Sequence, residues 1–261
     1  MSDAILLRHD QGLVTTLTLN TPASLNALST PMLTELSAAL TDIAGSSQRA
    51  VILTAAGRNF CAGHDLREIQ SHRADPDHGA AAFTALFDLC SRVMLQLTAL
   101  PQPVIAAAQG VATAAGCQLA ASCDMVVATD SARFGVNGVN IGLFCSTPLV
   151  ALSRKIPAPI AFDLAATGEF LSVYRANELG LVTQITSPGN LHNKALKLAE
   201  TLAQKLPSAL TLGKRTFAAQ HSADLTAAYA LASAAMVENL MNPDTDEGIT
   251  AFLAKRPPNW A

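Results

Sequence analysis

Two short segments combine glycine, alanine and isolated polar residues in a pattern typical of ligand-binding turns. The first is NFCAGHDLREI, in which Gly63 follows a predicted strand and a helix is expected to begin at Asp65. The second is QGVATAAGCQLA, which follows the apolar run VIAAA and enters a predicted helix near Ala114. A strand-to-helix turn leaves backbone N–H groups unpaired at the positive end of the helix dipole. Two such groups converging on one point would form an oxyanion hole, which stabilises negative charge on a carbonyl oxygen.

The same two segments also fit a purely structural interpretation, in which they are tight turns packed on a sheet. Small residues let a ligand approach the backbone closely, but they also let one segment of chain pack on another. Ligands of open α/β sheets favour loops at the carboxyl ends of strands, which is where both segments fall. Spacing alone leaves both interpretations open.

The hydrophobic pattern around these turns predicts alternating strands and helices. RAVILTAAG and DMVVAT are short apolar runs of the kind expected for strands buried on both faces. One helix is predicted from Pro31 to Gly45, and its apolar face contains Met32, Leu33, Leu36, Leu40 and Ile43. The clearest helical stripe contains Phe83, Leu86, Phe87, Cys90, Val93, Met94, Leu97 and Leu100. This alternation predicts an α/β layered fold with right-handed crossovers.

From Pro188 onward the sequence shows helical patterns only, with no strand between them. We therefore divide the chain into an α/β core over residues 1–187 and a helical region over residues 188–261.

Composition excludes several other classes of protein. Half of the 261 residues are hydrophobic and 14% are charged, so the chain can bury a large core. The net charge is −3 and the basic residues are scattered, which argues against nucleic acid as a partner. No run of eighteen apolar residues predicts a membrane span. Five cysteines without a CxxC pair match no zinc pattern, so no metal site is expected. The N-terminus resembles neither a signal nor a transit peptide, so a cytoplasmic protein is expected.

The motifs resemble those of the enoyl-CoA hydratase/isomerase (crotonase) superfamily, in the same order along nearly the whole chain. PVIAAAQGVATAAGCQLAASCDMVVATDSARFG is similar to its central signature, and NFCAGHDLREI, ANELGLVTQI and EGITAFLAKRPPNW are similar to its flanking motifs. The resemblance implies a crotonase-type α/β spiral of ββα turns in two sheets, with a C-terminal helical trimerisation region. It also implies an acyl-CoA thioester as partner, and a homotrimer or a dimer of trimers. No resident cofactor is expected, because coenzyme A enters as part of the substrate.

The resemblance also implies residue roles. It places the two oxyanion donors at the backbone N–H groups of His64 and Ala115, with Gly116 beside them. It places five residues at coenzyme A: Ala62, Asp65, Leu66, Phe252 and Lys255. Phe252 and Lys255 would reach the coenzyme A bound to a neighbouring subunit. The imidazole of His64 could take part in catalysis or could only pack, and the sequence leaves that choice open.

Two positions depart from the pattern of hydratases in this family, which carry a pair of glutamates that handle water. Gln118 and Gly138 stand at those two positions. A glutamine can hydrogen-bond a water molecule but cannot act as a general base. General acid–base assistance contributes about 10² to 10⁴ in rate, so hydration is expected to be weak. We expect the double change Gln118→Glu with Gly138→Glu to raise the hydration of crotonyl-CoA.

Cys145 lies in GLFCSTP, a segment that lines the acyl pocket in relatives, and is either a nucleophile or a small buried residue. It aligns with a tyrosine of the methylmalonyl-CoA decarboxylase branch, which also lacks the glutamate pair. The central motifs most resemble the enoyl-CoA hydratase domain-containing subfamily. Three hypotheses follow: a lyase of the hydratase class with weak hydration, an acyl-CoA decarboxylase or thioester hydrolase, and a non-catalytic acyl-CoA-binding protein.

Overall fold

The computed structural model describes residues 4–260, and within them nine strands form two sheets. The larger sheet has the spatial order β1-β2-β3-β4-β6-β9, and the smaller has the order β5-β7-β8. The larger contains β1 (Leu6–Gln11), β2 (Val14–Leu19), β3 (Ala50–Ala55), β4 (Val104–Ala108), β6 (Met125–Thr129) and β9 (Gln184–Thr186). The smaller contains β5 (Val111–Thr113), β7 (Arg133–Gly135) and β8 (Phe170–Ser172). Only the β1–β2 and β7–β8 pairs are antiparallel.

Eleven α-helices connect and follow these strands in the described part of the chain. Those within the α/β part are α1 (Thr30–Ala44), α2 (Leu66–Ser71), α3 (Ala80–Ala99), α4 (Ala115–Ser122), α5 (Ser146–Leu152), α6 (Ala158–Thr167) and α7 (Val173–Glu178). The last four are α8 (Leu191–Ala203), α9 (Pro207–Gln220), α10 (Leu225–Leu240) and α11 (Pro243–Leu253).

The large sheet is covered on both faces, because successive residues of each strand point to opposite sides. In β3, Val51 and Leu53 join the main core together with α1, α3 and α4, whereas Ile52 faces the other way. That second face is covered by α8 through its buried residues Leu191, Ala195, Ala199 and Ala203. Alanines four residues apart form one smooth stripe, which lets α8 lie close against the strands.

Local sequence signals explain where the predicted elements begin and end. The hydroxyl of Ser29 accepts the N–H of Met32 and caps α1, and Pro31 stands in the first turn, where its missing N–H costs nothing. Gly12, with φ +58°, forms the tight connection between β1 and β2. The helix was expected from the sequence. The three strands of the smaller sheet were missed, because three residues are too few to show an alternating pattern.

Helix α3 is apolar and long enough to cross a membrane when judged by length and composition alone. Five of its residues, however, are buried against the rest of the protein: Leu86, Cys90, Val93, Met94 and Leu97. The helix is therefore accounted for as a core element of the fold.

Lys214 is one of the residues that join α9 to the α/β core. The Nζ of Lys214, on α9, donates to the carbonyl oxygens of Leu97 (2.9 Å) and Gln102 (3.2 Å). It also lies 2.7 Å from Oδ2 of Asp124, which in turn accepts the N–H of Val104 at 2.7 Å. One cation thus connects α9 with the end of α3 and with the starts of β4 and β6.

Candidate functional site

The two glycine-containing turns lie against each other at the N-terminus of α4. Cys61 pairs with Ala112, and its carbonyl oxygen accepts the N–H of Thr113 at 3.0 Å. The chain then turns at Gly63, where φ is +95°. A Cβ placed on Gly63 would lie 3.3 Å from the backbone nitrogen of Ala115, so the backbones of the two turns are in contact.

Gly116 permits this contact. A Cβ at Gly116 would lie 2.8 Å from Cβ of Cys61, and it would overlap the Cys61 carbonyl oxygen even more severely. No side chain fits between the first turn of α4 and the loop. The resemblance places Gly116 beside the expected donors, and the structure shows that only glycine fits at this contact.

Two backbone donors remain unpaired at this contact. Among residues 4–260, neither the N–H of His64 nor the N–H of Ala115 has a hydrogen-bond partner. Their neighbours are bonded, because Leu28 donates to the Gly63 carbonyl at 2.7 Å and Ala114 donates to the Gly135 carbonyl at 3.0 Å. The unpaired donors therefore sit on backbone that is held on both sides, which is the requirement for a preorganised anion-stabilising site.

Ala114, immediately before α4, has a strained backbone. Its φ of 50° and ψ of −123° lie in a region that L-residues rarely adopt. Such a conformation costs on the order of 1–3 kcal/mol and persists only when the surroundings impose it. Here its N–H is bonded to Gly135, and its carbonyl accepts the N–H of Gln118 at 3.1 Å. The strain orients the next peptide group, which carries the N–H of Ala115.

Gln118 stands one helical turn after Ala115, on the same side of α4. Its side chain is only 4% exposed, and its Oε1 is buried without a hydrogen-bond partner. Leaving a buried acceptor unpaired costs about 1–3 kcal/mol. Such an atom is expected where a ligand or water supplies the missing donor.

The space beside Gly138 is filled by the segment that follows it. A Cβ at Gly138 would overlap the carbonyl oxygen of Leu143 and would lie 2.8 Å from Sγ of Cys145. The N–H of Gly138 donates to the same sulfur at 3.3 Å. The expected gain from combining Gly138→Glu with Gln118→Glu is therefore revised, because a glutamate at position 138 cannot enter without moving residues 143–145.

Burial raises the pKa of the Cys145 thiol above its ordinary value, and the hydrogen bond from Gly138 only partly opposes this. The thiol is therefore neutral near pH 7, whereas a nucleophilic cysteine needs its thiolate. The structure favours the interpretation of Cys145 as a buried packing residue.

The imidazole of His64 is held by two residues that no sequence motif marks. Its Nδ1 lies 3.1 Å from the carbonyl oxygen of Leu28, and its ring meets that of Phe87 edge to face with centroids 5.4 Å apart. Nε2 is buried and unpartnered. Burial lowers the pKa of His64, and the bond to Leu28 opposes this only in part. The ring is therefore neutral at pH 7.

The residues expected at coenzyme A fall in two places. Ala62, Asp65 and Leu66 continue the first turn, where the Asp65 carboxylate caps α2 by accepting the N–H of Arg67 at 2.9 Å. Phe252 lies on α11 with 81% of its surface exposed, and Lys255 follows that helix with φ +53°. The first group lies at the turn that contains Gly63, and the second lies in the C-terminal helical region.

Comparison with known proteins agrees with this fold and these motifs. The sequence model of the enoyl-CoA hydratase/isomerase family matches residues 9–261, so the chain belongs to that family. The crystal structure of an enoyl-CoA hydratase from Mycobacterium smegmatis has a TM-score of 0.94 and 45% identity, and 99% of each chain is covered. That of human enoyl-CoA hydratase domain-containing protein 3 has a TM-score of 0.93 and 39% identity, covering 98% of this chain and 100% of the human one. The crotonase fold inferred from the sequence is confirmed.

The zebrafish (Danio rerio) protein named enoyl-CoA hydratase domain-containing protein 3, mitochondrial, is 41% identical over 100% of this chain and 89% of its own length. The frog, rat, human and mouse proteins of that name are 40 to 41% identical. The expectation of a cytoplasmic protein is therefore wrong, since these relatives are named as mitochondrial proteins. It rested on the N-terminal residues, whose pattern matches neither a signal nor a transit peptide.

Proposed function

We propose that this protein binds an acyl-CoA thioester and polarises its carbonyl with the backbone N–H groups of His64 and Ala115. The observation that carries the proposal is the contact between Gly63 and the backbone nitrogen of Ala115, with both donors unpaired. A thioester oxygen that accepts both hydrogen bonds gains the most from them when it becomes an enolate, because charge then concentrates on it. On this proposal the protein is an enzyme. Coenzyme A is bound as part of the substrate.

Hydration by this site is expected to be slow. Gln118 cannot take a proton from water, and the thiol of Cys145 is neutral. The space in which a carboxylate at position 138 would lie is occupied by the Leu143 carbonyl. The oxyanion donors remain, so enolate chemistry is retained while the usual handling of water is lost.

A chromophoric thioester tests the oxyanion hole without requiring turnover. Dimethylaminocinnamoyl-CoA absorbs at longer wavelength when its carbonyl oxygen accepts hydrogen bonds, so we expect a red shift on binding. Binding without any shift would refute the proposal. The reaction itself is then sought by mass spectrometry after incubation with crotonyl-, butyryl- and methylmalonyl-CoA, each against a sample without protein.

Decarboxylation is the second candidate, and the filled space at Gly138 favours it. In that reaction the bond between Cα and the carboxylate breaks, carbon dioxide leaves, and the electron pair enters the enolate held by the two N–H groups. No general base is required, in agreement with the loss of both glutamates. Loss of carbon dioxide from methylmalonyl-CoA with no water added to crotonyl-CoA would select this candidate. Addition of water to crotonyl-CoA with no loss of carbon dioxide from methylmalonyl-CoA would exclude it.

Self-association is part of the proposal, since members of this family are typically oligomeric. Helix α10 has no buried residue, although it carries several exposed apolar side chains: Leu225, Tyr229, Leu231, Met236, Val237 and Leu240. An exposed apolar surface of this kind marks an interaction site. Light scattering on the purified protein is expected to give three or six times the mass of 27.1 kDa, and a monomer at micromolar concentration would refute self-association through this helix.

A further inference from the structure

Six buried side-chain atoms lack a hydrogen-bond partner in the described part of the chain. Three belong to residues outside the two glycine-containing segments, namely Thr21, Gln48 and Gln102, and a fourth belongs to Gln109 at the start of the second segment. The other two, Nε2 of His64 and Oε1 of Gln118, belong to residues at the turn. Both accept hydrogen bonds, but only an imidazole nitrogen can also accept a proton near neutral pH.

The hydrogen bond to Leu28 determines which nitrogen of His64 carries the proton. A carbonyl oxygen can only accept, so Nδ1 must donate to the oxygen 3.1 Å away. In a neutral ring Nε2 then carries the free electron pair. The backbone carbonyl of Leu28 thus does for His64 what a carboxylate does for the histidine of a catalytic triad, which is to fix the tautomer and the orientation of the ring.

The surroundings keep the ring neutral. Phe87 on α3 contacts the ring edge to face, and the Phe87 side chain is itself 40% exposed. Because Nε2 is buried, a ligand can reach it only if Phe87 or its surroundings move aside. Glu68 on α2 is the charged group that acts on the imidazole. Its carboxylate is already engaged, because Oε2 accepts the N–H of Thr30 at 2.9 Å. No other titratable group contributes to the pKa of the imidazole among the described residues.

We propose that Nε2 of His64 is the general base that removes a proton from Cα of the bound acyl group. This inference rests on the proposed function, since the thioester must first be held by the backbone N–H of the same residue and of Ala115. The Cα–H bond breaks, a new N–H bond forms at Nε2, and the electron pair of the Cα–H bond passes into the enolate. Return of the proton to Cα regenerates the thioester, so no other reactant is consumed.

Deuterium exchange tests this step without knowledge of the physiological reaction. Butyryl-CoA is incubated with the full-length protein in D₂O, and mass spectrometry measures deuterium gained at Cα. His64→Asn removes the base but keeps both backbone donors, and the asparagine amide can still donate to Leu28. We expect His64→Asn to lower the exchange rate by about 10²-fold or more, while the red shift of bound dimethylaminocinnamoyl-CoA is retained.

His72→Asn is the matched control. His72 is a solvent-accessible histidine whose Nδ1 lies 2.8 Å from the carboxylate of Asp75, and it takes no part in the site. Exchange by the control should equal that of the wild type. Equal exchange by His64→Asn and the wild type would overturn the proposal, and so would a wild-type red shift without exchange. Absence of the red shift in the wild type would instead refute the proposed function itself.

The pH profile of the wild type is a second test that does not depend on a variant folding. Because burial lowers the pKa of His64 below 6.5, the base form predominates at pH 7 and disappears as the pH falls through that lowered value. Exchange should therefore be constant between about pH 7 and 8 and should fall tenfold for each further pH unit below the pKa. Exchange that stays constant over the whole acidic range in which the protein remains folded would overturn the proposal even if His64→Asn does not fold.

Discussion

Gly116→Ala is the substitution that most directly tests whether contact between the two turns creates the oxyanion site. The new Cβ would lie 2.8 Å from Cβ of Cys61 and would overlap the Cys61 carbonyl, whereas ordinary van der Waals contact begins at 3.4 Å. The loop and the helix must therefore separate by roughly 1 Å. Overpacking of this kind costs about 1–3 kcal/mol. For a chain of this length the melting temperature should fall by about 2–12 °C.

The effect on the site should be larger than the effect on stability. Moving one N–H donor out of hydrogen-bond reach costs about 10²–10³ in the rate of a reaction that passes through an oxyanion. We expect Gly116→Ala to fold, to bind dimethylaminocinnamoyl-CoA, and to lose most of the red shift. Absorbance spectroscopy of the complex and deuterium exchange into butyryl-CoA measure these two losses on the same sample.

Gly213→Ala provides the matched control. Gly213 lies inside α9, and an added Cβ there meets nothing within 4 Å. Alanine is a better helix former than glycine by up to about 1 kcal/mol, so this variant should be slightly more stable. Its red shift and its exchange rate should equal those of the wild type. If Gly116→Ala also keeps its full red shift, the contact with Cys61 does not set the position of the N–H groups, and the reasoning is refuted.

Three further variants test other features of the structure. Lys214→Met leaves the carboxylate of Asp124 without its cation and should lower the free energy of unfolding by about 2–4 kcal/mol. This is measured as a lower melting temperature. Lys205→Met on the surface should change the melting temperature little. Gln118→Glu alone should raise the rate at which crotonyl-CoA is hydrated. Because burial raises the pKa of the new carboxyl, this rate should increase with pH. A hydration rate independent of pH would contradict this. Ala114→Gly should relieve backbone strain and raise the melting temperature by about 1–4 °C, and a decrease would show that Ala114 is not strained.

The elements with strong local signals could be predicted from the sequence. Helix α1 has a capping serine, a proline in its first turn and five apolar residues on one face, and all of these are local features. The site turns were identifiable for a similar reason, since the glycines at positions 63 and 116 follow buried strands. The α/β division into strands and helices followed from the same patterns.

Features that depend on distant segments could not be predicted. Strand β5 is three residues long and is defined by its pairing with β7, some twenty residues further along. The filled space at Gly138 depends on the path of residues 143–145 and not on the type of any one residue. The bonding of the His64 imidazole likewise requires a carbonyl 36 positions earlier in the chain.

The packing of Leu143 and Cys145 on Gly138 makes these three positions interdependent. The effect of any residue at 138 depends on which backbone path the following segment takes, so substitutions here are epistatic and not additive. A library that varies position 138 alone would sample mostly proteins with a displaced loop. Substitutions in this segment are therefore best made by exchanging residues 138–145 as one block.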